Sequence, residues 1–248
     1  MPPKERYEAF VERAAASAKL STMQLLRSAG SSGLYAGMAG LLSLGVAGHM
    51  ASAPAQKMAF SALFGLSLLL VMLQEGSEVF TLKTATLSMA YYKGKATKRQ
   101  VLRGWALSWI GNAVGCGLMA VMAKWMQLLS GSTQTFAAAM AAEKCALGFG
   151  VVLTKGILCN WIACTAVFLA ASAKDVAGKM VDLWFPVCMF IVVSFEHAVG
   201  NMFILPAGLL SGASLNLSEV LLKNLVPVTL GNLVAGAVVI AASFRFSQ

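Results

Sequence analysis

Charge is what this chain has least of. Asp, Glu, Lys and Arg make up 12% of its 248 residues, about half the roughly 25% of a soluble domain. With 58% hydrophobic residues and a mean hydropathy of +0.74, that scarcity excludes an ordinary soluble domain. The short alternating segments of a membrane β-barrel are also missing. What is left is an all-α, polytopic membrane protein. Histidine occurs only at His49 and His197, and no HExxH, GxSxG or Walker sequence is present. An enzyme is not expected, nor is a cofactor. The five cysteines, Cys116, Cys145, Cys159, Cys164 and Cys188, form no CxxC pair and lie in or beside apolar runs. They read as small buried hydrophobes rather than a disulfide frame or metal set. The charges from Lys4 to Arg13 are not followed by a short apolar core with a cleavage site. Residues 1–29 therefore read as an N-terminal amphipathic helix on the cytoplasmic side, and residues 30–248 as the membrane domain.

Basic residues outnumber acidic ones by 19 to 10. Such a surplus can mark nucleic-acid binding, but these residues sit in loops flanking apolar spans, and no nucleic-acid partner is expected. Six spans fit the apolar runs: about 33–53, 58–92, 104–123, 146–173, 183–210 and 225–244. About 20 residues suffice for one crossing. The second and fifth runs exceed that and carry polar residues midway. With the N-terminus inside, 13 basic residues fall on the inner side and 4 on the outer, while Lys83 and Lys155 fall within spans. That split places both termini on the cytoplasmic or stromal side. It leaves plasma membrane, inner membrane and plastid envelope open.

The chain repeats itself. Gly111-Asn-Ala-Val-Gly115 in the third span returns as Gly231-Asn-Leu-Val-Ala-Gly236 in the sixth, 120 residues on. Glu78 in the second span returns as Glu196 in the fifth, 118 residues on. Two halves of three spans each must be inverted relative to one another. Inverted repeats with broken helices at matched positions point to a site near the membrane midplane, where free backbone N–H groups favour an anion. An aquaporin-like 3+3 arrangement, with the second and fifth helices broken, is the expectation.

Ionisable groups at membrane depth mark a site or pathway by default. Glu196 and His197 stand side by side between two apolar runs. Either the carboxylate supports the helix break or it takes part in chemistry. An imidazole changes charge near neutral pH more readily than any other side chain, and in a pore it can donate a hydrogen bond or a proton to an anion. Gly76-Ser-Glu-Val-Phe-Thr81 is the matching stretch. Its glycine and serine permit a loop, and Thr81 offers a hydroxyl at the start of the next half-helix. Asn160 is an amide in an otherwise apolar span, suited equally to interhelical bonding and to pore lining. Lys144 lies just outside that span, where a cation gathers anions or simply marks the interface.

At these residues the chain resembles the formate–nitrite transporter family. The matching stretches are Gly76–Thr81, Ile110-Gly-Asn112, Gly156-Ile-Leu-Cys-Asn160, Phe195-Glu-His-Ala-Val-Gly-Asn-Met202 and Asn224–Asn232. They cover spans two to six in order. The resemblance implies a homopentamer in a lipid bilayer, with one pore per protomer carrying small monovalent anions, with or without protons. It implies that His197, Thr81 and Asn160 form the pore centre and that Lys144 is the vestibule cation. Leu69, Val79, Phe80 and Phe190 fall on the apolar constrictions. Glu78, Glu196, Asn112, Asn201 and Asn232 read as supports of the helix breaks. Two departures stand out. Leu82 and Lys83 follow Thr81 where relatives have a small and then a neutral polar residue, so Lys83 should strengthen anion attraction if it faces the pore. Gly65 falls where relatives carry a bulky constriction residue, a place that neighbouring Phe64 could fill.

The expected function is a channel or transporter for nitrite or formate, with bicarbonate also open, passive or proton-linked and centred on His197. The alternative is a proton-coupled lactate or monocarboxylate transporter. An intramembrane enzyme using Glu196 and His197 as acid and base is remote, because it lacks a third orienting group. A receptor on the same scaffold would leave the anion-attracting residues without a purpose.

Overall fold

The computed structural model describes residues 3–73 and 78–246, and Gly76 and Ser77 of the first loop lie outside the described residues. All regular structure among them is helical. Helix α1 (Pro3–Ser17) is amphipathic. Tyr7, Val11, Ala14 and Ala15 form its buried stripe, at the spacing a helix needs to keep one face inward. The ammonium of Lys93 sits 5.2 Å over the Tyr7 ring, and Glu12 pairs with Lys95 at the surface.

Helix α2 (Thr22–Ala47) opens on a capping box in which Ser21 and Gln24 satisfy each other's backbone. It begins well before Gly33, so the first span is longer than its apolar run and residue 29 falls inside it. Gln24, Arg27 and Ser28 hide its first turns from any hydropathy reading. Next come α3 (Ala53–Phe64) and α4 (Leu66–Leu73), then α5 (Phe80–Tyr92) beyond the first loop. Helix α6 (Lys98–Trp125) starts on a second capping box, Thr97 with Gln100. An unanticipated helix, α7 (Gly131–Cys145), follows it. Ala137, Ala141 and Cys145 face inward on α7, four residues apart, a weak stripe of small residues within an apolar run, Phe136–Ala142, too short to cross a membrane. Lys144 thereby stands in the last turn of a helix rather than in a loop.

Helix α8 (Phe149–Ala170) precedes α9 (Val176–Val192) and α10 (Ala198–Leu210). The last helix, α11, runs through the contiguous segments Leu217–Glu219, Val220–Leu225, Val226–Val234, Ala235–Ile240 and Ala241–Phe246, of which the second and fourth are π-helical. Among the described residues four stretches are long and apolar enough to cross a membrane: Ala53–Met72, Lys98–Trp125, Phe149–Ala170 and Leu217–Ser243. Outward-facing stripes such as Ile110, Val114, Leu118 and Val121 on α6 are exposed. A soluble monomer would not leave so much apolar surface uncovered.

Two close helix pairs frame the interior. Helix α6 lies so near α2 that a methyl group on Gly115 would collide with the Gly30 carbonyl. Helix α11 lies equally near α8, where Gly231 meets the backbone of Leu153 and Gly156. Small residues permit this approach in lipid, and Gly111-Asn-Ala-Val-Gly115 and Gly231–Gly236 supply them at matched positions.

Candidate functional site

The chain between α9 and α10 is a built break. Helix α9 closes in a Schellman motif: the Phe195 N–H reaches the Phe190 carbonyl at 2.9 Å and the Ser194 N–H reaches Ile191 at 2.9 Å. Ser194 takes the left-handed conformation this requires (φ 58°). Extended backbone then leads to His197, which caps α10 by accepting the Gly200 N–H at Nδ1, 3.0 Å.

An asparagine clamps each break from the neighbouring helix. Asn232 donates to the carbonyls of Gly156 (2.8 Å) and Glu196 (3.3 Å) and accepts the Ala198 N–H (3.0 Å). Asn112 donates to the carbonyls of Ala29 (2.8 Å) and Glu78 (3.1 Å) and accepts the Phe80 N–H (2.8 Å). The two sets correspond bond for bond. Backbone groups freed by a helix break must find partners inside the protein, because lipid offers none. Removing the amide should be costly. We expect N232A to lower the stability of the solubilised protein by roughly 2 kcal/mol, since it orphans a buried N–H, and to reduce anion flux. Thermal unfolding followed by tryptophan fluorescence reads the first effect, and unchanged midpoints for both N232A and N112A would refute the clamp.

Each carboxylate is buried and matched by a lysine. Glu196 accepts Lys144 Nζ at 3.0 Å on both oxygens, Asn201 at 2.6 Å and Asn224 at 3.2 Å. Lys83 Nζ lies 2.5 Å from Glu78 Oε2, a charge contact outside good hydrogen-bond alignment. It donates to Ser17 Oγ (2.6 Å), which in turn donates to Glu78 Oε1 (2.9 Å). Lys83 is thus buried against Glu78 and α1 and lines neither cavity described below. Its addition to anion attraction depended on its facing the pore, a condition that is not met, and its charge is met by the neighbouring carboxylate. Lys144 is likewise engaged with Glu196.

Two cavities meet at His197. The larger, about 330 Å³, is bounded by Lys57, Phe60, Phe64, Glu143, Lys144, Lys155, Phe190, Ser194, Glu196 and His197, among others. The smaller, about 30 Å³, is lined by Val71, Val79, Thr81, Asn160, Cys164, Phe190 and His197 among others. Phe64, Phe190 and His197 border both cavities. The Phe190 ring stacks on the imidazole with centroids 5.7 Å apart and planes 18° apart. His197 Nε2 is 3.2 Å from Thr81 Oγ1. Because Nδ1 accepts the Gly200 N–H, the neutral ring carries its proton on Nε2 and donates it to Thr81, whose own hydroxyl proton is then free for another acceptor.

Asn160 is placed as expected but occupied otherwise. Its Nδ2 lies 2.7 Å from the Asn232 carbonyl, 3.0 Å from Thr84 Oγ1 and 3.1 Å from the Thr81 carbonyl. Three acceptors surround two hydrogens, so this amide supports the wall rather than presenting a donor to the cavity. Leu69 and Phe80 border neither cavity. Leu69 packs with Val167, Ala170 and Leu183, while Leu68 and Val71 take the cavity wall. Phe80 is 2% exposed in the main core. Gly65 faces Trp184 and Cys188 on α9, and Phe64 fills the aperture beside it. Residues missed by sequence reasoning include Asn224, Ser17 and Thr84. Only Asn224 lay in a stretch already singled out.

Broken helices whose ends converge on a polar centre between two cavities define a membrane transport protein. The model of the formate/nitrite transporter family matches residues 4–246, and the chain belongs to that family. It is 34% identical over 235 residues to a "Probable formate transporter" of Methanothermobacter thermautotrophicus, covering 87% of this chain and 85% of that one. It is 34% identical over 217 residues to "Formate channel FocA" of Haemophilus influenzae, covering 77% and 74%. An "FNT family ion channel" structure superposes with a TM-score of 0.92 at 25% identity, over 99% of each chain. A "Pentameric formate channel with formate bound" gives 0.79 at 25% identity, over 91% and 97%. These relatives are channels and transporters, not enzymes, and the chain is an integral membrane transporter.

Proposed function

We propose that this chain conducts a small monovalent anion of the formate or nitrite type through a pore in each protomer of a homopentamer. The observation that carries the reading is the His197–Thr81 pair where the two cavities meet. The anion enters the larger cavity, passes the Phe64–Phe190 aperture and leaves its water behind, as apolar constrictions require. It then meets the Thr81 hydroxyl in a space sized for a few atoms. His197 orients that hydroxyl through Nε2–H.

The chain crosses the bilayer six times, by α2, by α3 to α5, by α6, by α8, by α9 with α10, and by α11. The matching Asn112 and Asn232 clamps support an inverted pair of three-span halves. The excess of Lys and Arg on one side supports placing both termini on the cytoplasmic-equivalent face. The pentameric formate channel among the structural neighbours supports the assembly.

Proteoliposomes holding the purified protein test this. Formate and nitrite should each compete for uptake of labelled formate, lactate should compete less well as the bulkier anion at the Phe64–Phe190 aperture, and comparison at two pH values reveals whether a proton accompanies the anion. Absence of any anion flux above empty vesicles would sink the proposal.

A further inference from the structure

The larger cavity is bordered by three lysines and two glutamates: Lys57, Lys144, Lys155, Glu143 and Glu196. Lys144 and Glu196 neutralise each other. Lys57 and Glu143 are exposed at the rim, where solvent and salt screen them. Lys155 is different. It is half-buried, and among the described residues it enters no ion pair. It stands on α8 five residues before Asn160, about 7.5 Å along the axis at 1.5 Å per residue.

Its backbone is fixed at the second break. The Lys155 carbonyl accepts the Glu196 N–H at 3.4 Å, and the adjoining Gly156 carbonyl is held by Asn232. Lys155 therefore borders the cavity from backbone anchored beside the residues that hold His197. An unpaired cation on a low-dielectric wall concentrates anions more effectively than one at the open rim.

We infer that Lys155, and not the ion-paired Lys144, is the cation that gathers the permeant anion at the mouth of the constriction. This rests on the pore reading above and names a further residue that sets anion affinity. An anion held by Lys155 gains Coulomb attraction in the vestibule, yet Lys155 borders only the larger cavity and not the smaller one. Loss of its charge therefore changes how much anion is loaded rather than how fast a loaded anion crosses.

The test is formate flux into proteoliposomes for wild type, K155Q, K155M, K155R and K144Q, at low and high ionic strength. K155Q and K155M should raise the half-saturating formate concentration about tenfold with maximal flux little changed, and should lose the dependence on ionic strength. K155R should restore both. A purely structural role for Lys155 would lower maximal flux, leave half-saturation in place and gain nothing from arginine. Wild-type half-saturation and salt dependence in K155Q or K155M would overturn the inference, as would their loss in K144Q alone. Failure of wild type to conduct would instead strike the pore reading itself.

Discussion

K83M is expected to lower the thermal midpoint of the solubilised protein by roughly 10 °C, because it leaves the Glu78 carboxylate buried with only Ser17 as partner. Breaking a buried ion pair from one side costs about 3–5 kcal/mol. The geometry makes this a case of that kind: the Lys83 and Glu78 side chains are 8% and 4% exposed and lie 2.5 Å apart. The double variant K83M/E78L should recover most of the loss, since replacing both members with apolar groups removes the stranded charge. It should nevertheless disturb the first break, because Ser17 then loses its link from α1. Thermal unfolding in detergent with oligomer size followed by light scattering distinguishes the two. A K83M midpoint equal to wild type would mean that Glu78 does not depend on Lys83.

The second large effect concerns His197. H197F removes the cap of α10 and the donor to Thr81 together, whereas H197N keeps a side-chain oxygen able to cap and loses only the reach to Thr81. Loss of the cap costs about 1 kcal/mol, so H197F should melt earlier than H197N. Formate flux should fall at least about tenfold in both, because a hydrogen bond to a charged partner contributes roughly 1.5–3 kcal/mol. Wild-type flux in H197N would show that the Thr81 hydroxyl needs no orientation by the imidazole.

Much of the site could be read before any coordinates. An acid beside a histidine between two apolar runs stands out because both groups are costly in lipid, and the recurrence of Gly-Asn at 111 and 231 marks both clamps. What was hidden depends on phase and on partners distant in sequence. In the uninterrupted apolar run Leu66–Leu73 every position looks alike, so nothing in the sequence tells that Leu68 rather than Leu69 reaches the cavity. Asn160 is polar in an apolar span, which says that it is satisfied but not by what. The partner of Lys83 lies five residues back across a loop, at a spacing with no meaning on a continuous helix. The apolar run in helix α7, Phe136–Ala142, is too short to span a membrane and is mostly alanine, so the helix and the true setting of Lys144 went unmarked.

The two breaks acquire their counter-charge differently. At the first, Lys83 and Glu78 belong to one short segment, so this stretch can enter the bilayer as a neutral unit during synthesis. At the second, Glu196 depends on Lys144 from α7 and on Asn224 from α11. The broken span of α9 and α10 therefore carries a carboxylate held only by its own Asn201, with no counter-charge, until its neighbours have docked. Biogenesis of the second half is gated by tertiary assembly, and a truncation before Asn224 should leave α9 and α10 poorly held in the membrane while the first break inserts normally.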